Sequence, residues 1–267
     1  MIAFSLVYAG VVCSFASDLM APATQLGQKK FHAEVYYRQV LKQKLNLDVS
    51  STGNIQVKGS TFSASSTSEL ESEGSGNAMM GRISFQPFET PIQYYLVGGV
   101  GQYDLKVPSG SYSNKYGTDN PGYIIGGGIR YTVVPFTIVS PAVSLDLSAT
   151  HSRYSLTNFV SGDGKTVGDT SQLFTSLEIQ GALTISKKFL FDLGDNKASI
   201  DPYVGVKVVR TRTSLDDNST GSHISGTRTD VSPFFGLKFK PFPYEGLVLE
   251  GSVLSELSYS VGLTFGF

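Results

Sequence analysis

From residue 31 onward, apolar and polar side chains alternate along the chain with a period of two, the mark of a strand with two unlike faces. The run Leu173 to Ile185 is the clearest. Leu173, Thr175, Leu177, Ile179, Gly181, Leu183 and Ile185 fall on one face, and Phe174, Ser176, Glu178, Gln180, Ala182 and Thr184 on the other. Such a run is long for a soluble strand, which has about 5–6 residues. The same sorting sets Phe31, Ala33, Val35 and Tyr37 against His32, Glu34, Tyr36 and Arg38, and Met79, Gly81, Ile83 and Phe85 against Met80, Arg82 and Ser84. Tyr95, Val97, Gly99, Gly101, Tyr103 and Leu105 read as the apolar face of a third strand, and Tyr123, Ile125, Ile129, Tyr131 and Val133 as that of a fourth. Val143, Leu145 and Leu147 mark a fifth strand, and the Leu173 run is the sixth. Val204, Val206 and Val208, then Val231, Phe235, Leu237 and Phe239, then Leu247, Leu249 and Val253, and last Tyr259 to Phe267 complete ten predicted strands.

The connections alternate in kind. Polar stretches rich in Ser, Gly, Asn and Asp at 50–75, 108–121, 155–170 and 214–228 follow the first, third, fifth and seventh strands. Between them lie short turns such as Gln86-Pro87-Phe88, Val134-Pro135-Phe136 and Lys240-Pro241-Phe242. Long loops on one side and short turns on the other predict an all-β, closed antiparallel transmembrane barrel. Phe85, Phe88, Phe136, Phe189, Phe191, Tyr203, Phe239, Phe242, Tyr244, Phe265 and Phe267 gather beside the short turns and read as an aromatic girdle at the headgroup level. A water-soluble sandwich would need a turn every 8–12 residues or so and a polar exterior.

Composition narrows the partners. Charged residues are 16% of the 267 and the formal net charge is −1, so the basic footprint of a nucleic-acid binder is missing. Residues 1–16 form an uncharged apolar run closed by Ser14-Phe15-Ala16, which reads as a secretory signal peptide. Residues 17–30 follow as a periplasmic segment and 31–267 as the barrel. The lone cysteine, Cys13, falls within the leader, so the remainder has no disulfide framework and no Cys zinc site. The glycines Gly98, Gly99 and Gly101 and Gly126 to Gly128 lie inside strands with no helix after them, so they suit close packing and not phosphate binding. No cofactor and no metal site is expected.

The last strand, Leu257 to Phe267, carries Tyr259, Val261, Leu263, Phe265 and Phe267 at every second position. It resembles the terminal strand of Gram-negative outer-membrane proteins, and the wider layout is similar to the small eight- to ten-stranded barrels of the OmpA-like, opacity-like and omptin-like types. The resemblance implies a cell outer-membrane location, contact with outer-membrane lipid and lipopolysaccharide, and recognition of those five residues by the barrel-assembly machinery. A monomer is expected.

If the apolar positions face lipid, the lumen receives Glu34, Arg38, Arg82, Asp104, Arg130, Asp146, Glu178, Asp201, Lys207, Lys238, Glu250 and Glu256. Counting inward from the short turns puts Lys238 level with Glu250 and Glu34 level with Arg82, which predicts ion pairs filling a narrow interior. Of the three histidines, His32 reads as a solvated residue at the inner rim, His151 has lipid-facing parity near the outer headgroups, and His223 shares a polar loop with Asp216. An Asp–His pair at a rim could activate water, but no second cluster faces it, so the sequence favours a protein without catalytic activity. The functional expectation is a structural or surface-interaction role through extracellular loops, adhesin-like, with an unassigned ligand. A narrow pore for small solutes and a rim-located hydrolase are the alternatives.

Overall fold

The computed structural model describes residues 31–57, 60–87, 90–109, 112–160, 166–167, 172–193, 196–217, 222–242 and 244–267. Its strands are β1 (Phe31–Val57), β2 (Ser60–Phe85), β3 (Ile92–Ser109), β4 (Tyr112–Gly117), β5 (Gly122–Val134), β6 (Ala142–Leu156) and β7 (Asn158–Val160). They continue with β8 (Thr166–Val167), β9 (Gln172–Ser186), β10 (Phe189–Leu193), β11 (Asn196–Asp217), β12 (Ser222–Lys240), β13 (Glu245–Ser252) and β14 (Glu256–Gly266).

Ten of these form a closed wall among the described residues, in the order β1-β2-β3-β5-β6-β9-β11-β12-β13-β14, with β14 returning to β1. Every neighbouring pair is antiparallel, and closure runs from His32↔Gly266 to Gln43↔Glu256. Closure pairs both edges of the sheet, which satisfies the backbone groups that lipid cannot. The four remaining strands sit at the ends of the wall. β4 pairs with the outer end of β3, β7 with β4 and β8 with β7, while β10 forms a small hairpin with the inner end of β11.

All four of the expected polar stretches contain strand, β7 and β8 lying within 155–170. β1 and β2 stay in register through 50–75 up to Val57↔Ser60, and β11 and β12 up to Asp217↔Ser222, while β4 occupies part of 108–121. Ser, Thr and Gly conceal this in sequence, because strands poor in apolar residues show no apolar–polar alternation to detect.

The predicted faces hold on nine of the ten wall strands. β6 and β14 alternate buried and exposed along nearly their whole length. The third wall strand is inverted. Tyr95, Val97, Tyr103 and Leu105 are buried inside, whereas Tyr94, Leu96 and Val100 face outward, with Leu96 73% exposed. Both faces of β3 are apolar, so alternation could not tell them apart. Asp104, expected in the lumen, shares the outward parity of Tyr94 and Leu96 and is half-buried.

A one-residue irregularity in β1 shapes the outer end. The register slips between Val40 and Gln43, with Leu41 and Lys42 both exposed, so inward parity passes from even to odd numbers. Gln43 and Leu45 therefore point inward above the slip, and Lys42 points out.

Candidate functional site in the lumen and at the outer rim

The lumen is filled by side chains in layers. Nearest the short turns, Arg82 Nε lies 3.9 Å from Glu34 Oε2 across the register pair Glu34↔Arg82. The Arg82 guanidinium carbon also stands 3.7 Å from the centre of the Tyr95 ring, a cation–π contact in a desolvated place. The Tyr95 hydroxyl donates to Asp146 Oδ1, and Arg130 donates to Asp146 Oδ2 through Nε at 3.0 Å. Arg130↔Asp146 is itself a register pair, so a single network ties β1, β2, β3, β5 and β6 together.

Two tyrosines reach their carboxylates in the same way. Tyr95 stands opposite Gly128 on β5, and Tyr203 opposite Gly236 on β12. Each ring lies across the glycine, in the space a Cβ there would occupy. The hydroxyl thereby meets a carboxylate one strand further on: Asp146 on β6 for Tyr95, and Glu250 Oε2 on β13, at 2.8 Å, for Tyr203. The glycines are required by this close approach.

A second layer sits further out. Arg38 on β1 donates to Glu256 Oε1 on β14, and Lys207 Nζ on β11 is 3.7 Å from the other Glu256 oxygen. Gln43 Nε2 donates to Glu178 Oε1 on β9 at 3.3 Å. Above these, Leu45, Tyr103, Leu105, Tyr154, Leu156, Phe174 and Leu215 form an apolar cap, with Tyr103 and Phe174 stacked at 4.8 Å between ring centres. Among the described residues the largest side chains less than 2% exposed are Arg82, Arg130, Tyr36, Tyr103, Tyr154, Tyr203, Phe174, Lys207, Phe234 and Lys238, and all point inward. A buried charge is tolerable only when paired and hydrogen-bonded, and these layers bring opposite charges together.

Eleven of the twelve residues expected in the lumen lie inside, Asp104 being the exception. Lys238 Nζ donates to Thr264 Oγ1 at 3.2 Å and stands opposite Asp201, with Glu250 a diagonal neighbour through the pair Gly236↔Glu250. Sequence reading gave Glu256 no prominence, although its carboxylate joins β1, β11 and β14. It also placed Tyr95 on the lipid face and Tyr203 in the girdle. For Tyr203 a signal existed, since it shares the parity of Asp201 and Lys207. His32, expected to be solvated, is 3% exposed, because its even number turns it inward with Glu34.

Of the expected girdle, Phe85, Phe189, Phe191, Phe242, Tyr244 and Phe267 are exposed outside, and Phe88 lies outside the described residues. Tyr259, Val261 and Leu263 face outward on β14 with Phe267 beyond them, and Phe265 keeps their parity, half-buried. His151 faces outward beside Tyr123, with ring centres 6.2 Å apart. His223 stands opposite Asp216 in the β11–β12 extension, and its side chain lies outside the described residues. Among the described residues no three His, Cys, Asp or Glu side chains converge as metal ligands would.

At the outer rim the hairpins meet. β13 and β14 are short, and above them β1 touches β12 at Asp48↔Ser225. Arg228 on β12 lies 3.5 Å from Glu71 on β2, which also accepts from Lys44 Nζ at 3.1 Å. The Lys44 hydrogen bond, aided by its charge and that of Arg228, holds the Glu71 carboxyl below the ordinary glutamate range.

Polarity is thus reversed relative to a protein dissolved in water. Leu96, Ile83, Ile125 and Leu147 are 60% or more exposed on the outside, while arginines and lysines fill the inside. An apolar exterior around a closed sheet is stable where hydrocarbon is the solvent. The class so defined is the transmembrane β-barrel, closed here by ten antiparallel strands. No protein-family model and no curated protein sequence matches the chain. Among solved structures it is similar to the outer-membrane protease OmpT from Escherichia coli, at 10% identity and TM-score 0.45 over 94% of this chain and 99% of that one. It is also similar to the β domain of the Bordetella autotransporter Brka, at 11% identity and TM-score 0.45 over 89% and 99%. The Pseudomonas putida toluene transporter TodX matches at 9% identity and TM-score 0.31 over 92% of each chain.

Proposed function

We propose that this barrel works at the cell surface, as a structural or surface-interaction protein, through the strands that continue beyond the membrane. The observation that carries this reading is the filled lumen, with ten large side chains less than 2% exposed on the inside. A wall committed to lipid outside and packing inside leaves the outer extensions as the surface free to meet a partner. β1 and β2, at 27 and 26 residues, would each span about 85–90 Å if straight, against an apolar band about 25 Å tall.

Two measurements test it. Refolded protein in planar bilayers is expected to give no resolved single-channel steps, and regular steps would instead favour the narrow-pore reading. Replacing residues 53–64 by Asn-Gly joins the register pair Thr52↔Ser65 through a two-residue turn. Cells displaying that variant are expected to lose adhesion to extracellular matrix or to neighbouring bacteria while the barrel still inserts. Unchanged adhesion would remove the surface role of this hairpin.

A further inference from the structure

The small hairpin at the inner rim leaves one edge of the sheet open. β10 pairs with β11 alone, from Phe189↔Ile200 to Leu193↔Asn196, on the side of β11 that β9 takes higher up. The β6–β9 pairing stops at Ala142↔Ser186, so below it no strand among the described residues lies beside β10. Leu193↔Asn196 closes a two-residue connection, whose flanking residues hydrogen-bond each other. By alternation Phe189, Phe191 and Leu193 bond to β11, and the N–H and C=O groups of Leu190 and Asp192 point to the open edge. The two faces beside that edge differ. Phe189, Phe191 and Leu193 are exposed on the outward face, where Phe191 stacks on Phe239. Leu190 and Asp192 share the other face with their partners Ser199 and Lys197 and with Lys240, which stands opposite Ser199. Lys188 directly precedes β10 and lies near Lys240. Among the described residues, Lys188, Lys197 and Lys240 make no ion pair. Lys187 Nζ donates to the carbonyls of Ile138 and Val139 at 2.7 and 2.8 Å, which holds the β5–β6 turn near the start of β10. Both of those turn residues are 90% exposed.

We propose that this edge receives an extended segment of another protein, with acidic and apolar residues in alternation, added as a strand beside β10. Leu190 and Asp192 offer donors and acceptors in the order that a peptide backbone matches and a lipid surface does not. Successive side chains of the added strand fall on opposite faces. Acidic ones then meet Lys188, Lys197 and Lys240, which outnumber Asp192, and apolar ones extend the face of Phe189, Phe191 and Leu193, with Ile138 and Val139 close by. A second copy of this chain does not suit the edge. Antiparallel pairing of β10 with itself needs a two-fold axis perpendicular to the sheet, hence in the membrane plane, and that axis would invert the second barrel. The partner is therefore a different polypeptide on the short-turn side of the membrane. This edge is separate from the outer hairpins and from the role proposed for them.

The test is fluorescence anisotropy of a labelled eight-residue Glu-Val repeat, titrated with the full chain in phosphatidylcholine nanodiscs. The Glu-Val peptide is expected to bind. The same peptide with its central four residues N-methylated, which lack the backbone donors, and a Lys-Val repeat are each expected to bind about tenfold more weakly or worse. Lys188→Gln, Lys197→Gln and Lys240→Gln together should weaken the Glu-Val peptide by a similar factor, whereas Lys106→Gln with Lys115→Gln on the outer side leaves it unchanged. Leu190→Pro removes an N–H from the open edge while sparing the bonds to β11, and is expected to abolish binding. Heat-dependent gel mobility reports that each variant is folded, and the comparison among the three peptides on wild-type protein stands whether or not a variant folds. No binding of the Glu-Val peptide, equal binding of the N-methylated or Lys-Val peptide, or unchanged binding by the lysine variant would each overturn the proposal. So would loss of binding when phosphatidylglycerol is added to the nanodisc, which would assign the lysines to the lipid surface.

Discussion

The first and last hairpins of the wall are made from the same alternating pattern yet differ threefold in length. β1 and β2 run 27 and 26 residues, and β13 and β14 only 8 and 11. The short hairpin ends in a tight turn at Leu254, which has a φ of 83°. Its outward side chains are lipid-facing, and its inward ones, Glu250 and Glu256, serve the lumen. The long hairpin repeats that arrangement over its lower half and then leaves the membrane. Where the short one stops, β1 meets β12 above it. Strand length therefore separates two tasks: the lower wall holds the barrel together, and the upper extension presents a surface.

The largest expected effect comes from the short hairpin. Replacing Leu263, Phe265 and Phe267 by Ser should abolish most outer-membrane insertion, seen as loss of heat-dependent gel mobility in the membrane fraction. These side chains are the lipid face of the closing strand, and we propose that they are also read by the assembly machinery. Undiminished insertion would show that closure does not depend on them.

Next is the seam between the two hairpins. Glu256→Ala leaves Arg38 and Lys207 without the carboxylate they share, a loss of about 3–5 kcal/mol in urea unfolding of the refolded protein. Adding Arg38→Ala should recover part of it. A parallel cycle with Lys238→Ala and Glu250→Ala is expected to show weaker coupling, since Lys238 contacts Thr264 and Glu250 contacts Tyr203.

Packing inside the wall comes third. Gly236→Val places methyl groups where the Tyr203 ring lies and should cost about 1–3 kcal/mol, with loss of the hydroxyl contact to Glu250. If unfolding is unaffected, the ring does not need the glycine.

The smallest effect belongs to the upper extension. Shortening the β1–β2 hairpin at Thr52↔Ser65 should leave barrel stability within about 0.5 kcal/mol. Acid should loosen this region as well. The Glu71 carboxyl is held below its ordinary value, so its contacts with Lys44 and Arg228 are complete at neutral pH and disappear as the pH falls through that lowered value. Limited proteolysis of the outer hairpins across an acid series would detect this, and constant cleavage would show that these contacts do not hold the region.

Much of the wall was legible because lipid and lumen demand opposite chemistry from successive residues. Legibility failed where that contrast vanished. β3 offers Tyr and aliphatic residues on both faces, so its inward side was settled by its neighbours, notably the contact of Tyr95 with Arg82 and Asp146. The outer extensions carry few apolar residues, and their Ser- and Thr-rich strands looked like loops. Charge depth found Glu34 with Arg82, since direct register partners share a height, but drew no pair between Arg130 and Asp146. It could not find Tyr203 with Glu250, or Tyr95 with Asp146, because each contact passes over a glycine to the strand beyond. An inward Tyr opposite an inward Gly is the sequence mark of that crossing.

The slip at Leu41 has a consequence for how such a chain can change over generations. Removing Leu41 alone would leave Val40, Lys42, Gln43, Lys44 and Leu45 in unbroken inward and outward alternation, with every side chain on the face it occupies now. The extra residue therefore behaves as a single-codon insertion that the wall has absorbed. A strand in a closed barrel can accept an odd change in length without turning its outer half inside out, provided the surplus residue buckles at the headgroup border.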